Sequence, residues 1–131
     1  MIGVSTFFKE VFLLNSKIHK DFRGSFRESF NQKDFEKVIG SEVKFCQDNQ
    51  TLSKKGVLRG LHYQLPPFTQ SKLVRVIQGS VLDVVVDIRK GSPTFSQYFT
   101  KELSAENQLQ IYIPRGFAHG YITLSEFSIF A

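Results

Sequence analysis

Short strand-like segments separated by glycine and proline turns run along most of this chain, and their spacing limits the fold more than any other feature. The most legible is Val81–Arg89. Its even positions, Leu82, Val84, Val86 and Ile88, form an unbroken apolar face, while Val81, Asp83, Val85, Asp87 and Arg89 alternate hydrocarbon with charge. Lys72–Gln78 reads as a strand that ends in the turn Gly79-Ser80, and Gly91-Ser-Pro93 is another turn. Gln97–Leu103, Leu109–Ile113 and Gly120–Leu124 also read as strands, the last two joined by Pro114–His119. Short strands with turn signals about every 8–12 residues imply a sandwich or a barrel.

The N-terminal half follows the same grammar. Thr6–Ile18 reads as a strand pair, Lys20–Ser25 as a turn bent at Gly24, and Phe26–Phe30 as a short strand. Asn31–Val38 puts Phe35 and Val38 on one helical face, so a short helix fits there. Glu42–Asn49 alternates like a strand, and Thr51–Gly56 reads as a polar loop. Leu58–Gln64 is a strand with an irregularity at Gly60, ended by Pro66 and Pro67. Ser104 caps a short turn of helix at most.

At 131 residues the chain is expected to form one domain, residues 1–131, with a core of its own. Fourteen phenylalanines and no tryptophan favour sheets packed face to face. A net charge of +5, dispersed along the chain, is too weak for nucleic acid but suits a small anion such as a diphosphate. The single cysteine, Cys46, excludes an internal disulfide and a cysteine metal cluster, which makes the cytoplasm the default location. Lys9 and Glu10 interrupt the apolar character of Met1–Leu14, so neither a signal peptide nor a membrane span is expected.

The chemistry concentrates in Gly56-Val-Leu-Arg-Gly-Leu-His-Tyr-Gln64. His62 has Gly60 as its nearest neighbour on the same strand face, which leaves room beside the imidazole. That suits a general base; a histidine hydrogen-bonded within the sheet is the alternative. Arg59 is three positions away, so a regular strand sends it to the other face. Both residues meet one ligand only if the backbone bulges, which Gly60 permits; otherwise Arg59 is a surface arginine. Asp83 and Asp87 stand roughly 13 Å apart at strand rise, too far to act on one bond. Asp83, flanked by valines, reads as half-buried, either orienting a histidine or arginine or closing a structural salt bridge. No histidine lies near Cys46 in sequence, and Gly79 and Gly91 are turn glycines rather than part of a phosphate loop.

Pro114-x-Gly116-x-x-His119 resembles the second motif of the cupin superfamily. Where the first motif brings His-x-His, this chain reads His62-Tyr63-Gln64, and an amide is a poor metal ligand. The expected fold is therefore all-β, a cupin-type jelly-roll barrel with short helical turns only and no metal.

The ordered segments resemble one family, the dTDP-4-dehydrorhamnose 3,5-epimerases. They are Asp21-x-Arg23-Gly-x-Phe26-x-Glu28, Gln47-x-Asn49, Gly56–Gln64, Lys72-Leu-Val-Arg75, Gly79, Asp83–Arg89, Gly91-Ser-Pro93 and Ile113–Gly120. The resemblance implies an epimerase that inverts carbons 3 and 5 of a nucleoside-diphosphate 4-keto-6-deoxysugar through an enolate, without a cofactor. It implies His62 as the base and Lys72 as the cation facing the enolate oxygen. It implies Arg23, Phe26, Glu28, Gln47, Asn49, Arg59 and His119 as substrate-binding residues. It also implies a homodimer that exchanges N-terminal strands, with no nucleic-acid or membrane partner. The family's pattern continues past Ala131 with a Tyr-Lys segment, whose tyrosine is the proton donor, and a later aspartate that supports the base. The chain is thus expected to be a shortened version of the domain. A single-centre epimerase, a 3,4-ketoisomerase or a non-catalytic nucleotide-sugar binder stand as the alternatives.

Overall fold

The computed structural model describes all residues from Met1 to Ala131. The strands, in chain order, are β1 (Ile2–Ser5), β2 (Phe12–Asn15), β3 (Ile18–Asp21), β4 (Gly24–Arg27), β5 (Thr51–Lys54), β6 (Leu58–His62), β7 (Lys72–Gln78), β8 (Ser80–Asp87), β9 (Tyr98–Ser104), β10 (Gln110–Ile113), β11 (Phe117–Thr123) and β12 (Phe127–Phe130). One helix, α1 (Gln32–Ile39), lies between β4 and β5. A six-stranded sheet runs β1-β2-β10-β7-β12-β5, a four-stranded sheet runs β6-β11-β8-β9, and β3 and β4 form a separate ribbon. This is the cupin-type jelly roll that the turn spacing and the His119 motif implied.

Period-two alternation sets what each strand buries. Val74, Val76, Ile111 and Ile113 of the larger sheet meet Val81, Val85, Phe117 and Tyr121 of the smaller one, with Phe8, Leu103 and Phe130 in the same core. The opposite face of the larger sheet is covered by α1, through Leu14, Phe35 and Tyr112. The helix falls where the Asn31–Val38 pattern fits a short helix. Asn31 caps it by accepting the Asp34 N–H at 3.2 Å, and Gly40 ends it in a left-handed conformation at φ +73°.

Besides β1 to β4, whose bounds differ from the Thr6–Ile18, Lys20–Ser25 and Phe26–Phe30 readings, four local readings change. Glu42–Asn49 forms no strand, because no neighbouring strand pairs with it; Phe45 instead packs on Phe30 and Phe35, with ring centroids 5.8 and 5.5 Å away. Thr51–Lys54 is a strand rather than a loop. Its partner is β12, which lies past the last strand legible in the sequence and aligns Phe130 with Thr51. β11 starts at Phe117, so only Pro114–Gly116 link it to β10.

The fourth change concerns β8. Its buried side is the mixed one: Val81, Asp83, Val85 and Asp87 are each 0% exposed, while Leu82 points outward at 39%. The aspartates tolerate this because each has partners. Asp83 bonds His119, and Asp87 accepts from Arg89, Ser92 and Thr94. Asp83, read as half-buried, is thus fully buried, and the all-hydrocarbon face is the outer one.

Candidate active site

A cavity of about 1410 Å³ opens between the ends of β6, β7 and β11 and the segment from Glu42 to Thr51. The ladder between β6 and β11 shapes its wall. His119 faces His62 and Tyr121 faces Arg59, so a two-residue step on β11 spans a three-residue step on β6. The extra residue bulges β6 and brings Arg59 and His62 into the same cavity, as the Gly60 irregularity required. Gly60 has φ +112°, and a Cβ there would lie 2.7 Å from both Gly120 Cα and the His119 carbonyl oxygen. Only glycine lets the two backbones approach this closely.

Arg59 is held from outside the cavity. Its Nε donates to Ser53 Oγ at 2.9 Å, and Nη2 points to the Leu52 carbonyl at 3.5 Å. Nη1 is left for an anion. On the loop opposite, Gln47 Nε2 donates to Asn49 Oδ1 at 3.1 Å, and both side chains line the cavity.

Behind His62 lies a buried charged group. His119, 6% exposed, places Nε2 2.7 Å from Oδ2 of Asp83, which is 0% exposed. Asp83 Oδ1 is buried without a hydrogen-bond partner. Burial raises the Asp83 carboxyl, while His119 and, more weakly, Lys72 oppose that rise. The Lys72 ammonium is pulled below its usual value by burial and supported by the Asp83 charge. Lysine, histidine and aspartate thus form one electrostatic unit in the cavity wall.

Sequence reasoning missed the aromatic side of this wall. Tyr121 shares His119's strand face, and its hydroxyl lies 2.6 Å from Thr51 Oγ1. Its ring stacks on Phe130 at 4.0 Å, and the His119 ring lies parallel to Phe130 at 6.1 Å. The i, i+2 spacing from His119 pointed to Tyr121. Phe130 and Thr51 had no comparable signal, because β12 and β5 were not legible as strands.

The structure therefore brings together His62, Lys72, Gln47, Asn49, Arg59 and His119. It does not bring Arg23, Phe26 or Glu28 to them. These three are exposed on the β3–β4 ribbon or just after it, and Arg23 Nη2 is held by Asp21 Oδ2 at 2.6 Å. No three histidine, cysteine, aspartate or glutamate side chains converge as a metal site would require.

A jelly roll with a histidine, a half-buried lysine and a fixed arginine lining one cavity is a cupin-type protein. The chain belongs to the dTDP-4-dehydrorhamnose 3,5-epimerase family, a family of isomerases whose model matches residues 5–131. It is 54% identical over 123 residues to the dTDP-4-dehydrorhamnose 3,5-epimerase of Shigella flexneri, covering 94% of this chain and 68% of that protein. It is 54% identical over 130 residues to the same enzyme of Salmonella typhimurium, covering 99% of this chain and 71% of that protein. A crystal structure of dTDP-6-deoxy-D-glucose-3,5-epimerase from Legionella pneumophila in complex with dTDP-4-keto-L-rhamnose is also similar. It matches at TM-score 0.94 and 50% identity, covering 98% of this chain and 68% of that one.

Proposed function

We propose that this protein inverts carbons 3 and 5 of a dTDP-4-keto-6-deoxysugar by stepwise enolate formation. The 4-keto group acidifies the hydrogens on both neighbouring carbons, so inversion needs a base, a cation at the keto oxygen, a grip on the diphosphate and an acid that returns a proton from the opposite face, a role the family's pattern gives to the tyrosine of its Tyr-Lys segment. His62 is the base: it is exposed and lines the cavity beside Arg59 and Lys72. Lys72 faces the enolate oxygen, where a partly desolvated ammonium stabilises developing negative charge more than it would in water. The Asp83 charge opposes the desolvation that would discharge that ammonium. Arg59, fixed by Ser53, grips a diphosphate oxygen through its free guanidinium edge, and Gln47 and Asn49 contact the nucleotide side. The observation that carries this reading is the β6 bulge, which puts the arginine and the histidine on one cavity three residues apart.

Arg23, Phe26 and Glu28 enter the scheme through a homodimer. Their ribbon pairs with neither sheet, and Phe26 is 70% exposed. Exchange of N-terminal strands would lay the ribbon of each subunit over the cavity of the other, with Phe26 against the nucleotide. The protein acts as one domain, in the cytoplasm, on a nucleotide sugar, without a nucleic-acid or membrane partner. No helix of the structure is long and apolar enough to cross a membrane.

The test is incubation with a dTDP-4-keto-6-deoxysugar in D2O, followed by proton NMR. Loss of signal at both carbons 3 and 5 is expected. Exchange at one carbon only would identify a single-centre epimerase. Nucleotide binding without exchange would leave a binding protein and overturn the catalytic assignment.

A further inference from the structure

The helix-covered face of the six-stranded sheet carries cations that the epimerase scheme does not use. Side chains alternate along β7. Val74 and Val76 enter the core with Lys72 on the same side, whereas Leu73 and Arg75 face α1. Arg75 lies opposite Gln110 in the β7–β10 ladder, so Gln110 shares the helix side with Tyr112. The strand itself separates Arg75 from Lys72. The cavity reaches both faces of β7, because Lys72 and Val74 line it from one side and Leu73, Arg75, Gln110 and Ser29 from the other.

The end of the β3–β4 ribbon is tied to this corner. Arg27 Nη1 donates to the Gln108 carbonyl at 2.6 Å, and Gln110 Nε2 donates to the Ser29 carbonyl at 2.7 Å. Two half-buried guanidiniums therefore stand beside a fully buried amide. Neither has an aspartate or glutamate partner among the ion pairs of the structure. The Gln110 Oε1 atom is buried with nothing to accept from. Burial, and after it the like charge of Arg75, pulls the Arg27 guanidinium below its usual value. Like charges gathered out of water cost free energy unless something offsets them. Here the offset must supply anionic oxygens to two arginines and an O–H to one amide oxygen. A phosphate that keeps one P–OH has that combination, and guanidinium forks match its oxygens.

We propose that Arg27, Arg75 and Gln110 form an oxyanion site for a phosphate group on the helix side of β7, separate from the Arg59 and His62 site. The phosphate is inorganic or belongs to a nucleotide; the chemistry recognised is the same. Titration with inorganic phosphate, followed by calorimetry and by the NMR signal of the Gln110 side-chain amide, tests the assignment. Phosphate is expected to shift that signal in the parent and in Arg59→Gln. Arg75→Gln should weaken phosphate binding at least about tenfold, as loss of a charge-assisted pair does. The Arg75 side chain makes no hydrogen bond of its own, so this variant should fold normally. Arg75→Glu gives an independent check: it supplies Arg27 with an internal carboxylate, and should abolish phosphate binding while raising the melting temperature. Displacement of phosphate by dTDP would assign the site to a nucleotide phosphate, and undisturbed co-binding would assign it to the free ion. Phosphate binding that survives Arg75→Gln, or that disappears only in Arg59→Gln, would overturn the site.

Discussion

His119 Nε2 lies 2.7 Å from Asp83 Oδ2 across neighbouring strands, and water reaches neither group freely. This pair fixes which nitrogen of His119 is spent inside the wall and places a negative charge behind Lys72. Burial pulls the Lys72 ammonium below its usual value and the Asp83 charge opposes that pull. Removing the charge lets burial act unopposed. Asp83→Asn should therefore shift the alkaline limb of the pH profile of kcat/KM to lower pH and reduce kcat about a hundredfold. An alkaline limb that stays where the parent's lies would separate Asp83 from Lys72.

The same substitution has a distinct signature in stability. Burial raises the Asp83 carboxyl above its unfolded value, so the folded state binds this proton more readily than the unfolded chain does. Stability from this group is complete below the unfolded pKa and is lost as pH rises through the folded one. At pH 7 the buried charge works against folding, and Asp83→Asn should unfold at the parent's temperature or above it while losing activity. A large drop in melting temperature at pH 7 would show that the His119 bond outweighs the cost of burial.

Gly60→Ala tests the bulge. The new methyl would sit 2.7 Å from Gly120 Cα, and φ +112° is a conformation that alanine adopts only under strain. Strain and overpacking together should cost about 2–4 kcal/mol in urea denaturation. Since the bulge aligns Arg59 with His62, catalytic exchange should fall further than nucleotide binding. Parent-like exchange in a folded Gly60→Ala protein would mean that the site does not depend on this backbone approach.

Much of this architecture is legible in the residues. The Gly60 irregularity, the turns at Gly79 and Gly91, and the strands at Lys72 and Tyr98 follow from local pattern, because their periodicity and turn chemistry agree. Three features do not follow. β5 and β12 are short and polar-flecked, and both form through non-local pairing: β12 lies between β7 and β5, and buried Ser53 faces buried Ser128 across the β5–β12 ladder. The direction of β8 also escapes pattern, since its aspartates face inward only because His119, Arg89, Ser92 and Thr94 come from elsewhere to meet them. Arg23, Phe26 and Glu28 are readable as motif residues, yet their distance from the cavity depends on a ribbon that joins no sheet.

His62→Asn isolates the base. The imidazole lines the cavity beside Arg59, Gln47 and Asn49, which contact the nucleotide side in this mechanism. A base acts on the transition state, so the variant should bind dTDP within about threefold of the parent and lose at least about a hundredfold in deuterium exchange. Exchange at the parent's rate would remove His62 from the mechanism.

The second buried aspartate makes the opposite prediction from the first. Asp87 Oδ1 accepts from the Arg89 backbone N–H at 2.9 Å and from Nε at 3.0 Å, while Oδ2 accepts from Arg89 Nη2, Ser92 and Thr94 at 2.9, 2.6 and 2.6 Å. Arg89 first, then the two hydroxyls, hold this carboxyl far below the usual carboxylate range. The same arginine reaches Glu10 at 2.9 Å and lies 4.6 Å from the Phe117 ring centroid, so the knot ties the N-terminal segment to the end of β8. Asp87→Asn should cost about 3 kcal/mol at pH 7, because it removes the buried charge partner of a partly buried guanidinium and leaves it only the exposed Glu10. The folded pKa lies below the unfolded one, so the contribution is complete above the unfolded carboxyl's titration near about 3.9 and is lost as pH falls towards the folded value. Urea denaturation of parent and variant should therefore differ less at pH 3 than at pH 7, by about 1 kcal/mol. Asp21→Asn is the control, since that carboxylate also pairs with an arginine but on the exposed ribbon, and it should leave the curve unchanged. A gap between parent and Asp87→Asn that stays constant from pH 7 to pH 3 would show that shape and packing, rather than charge, hold the end of β8.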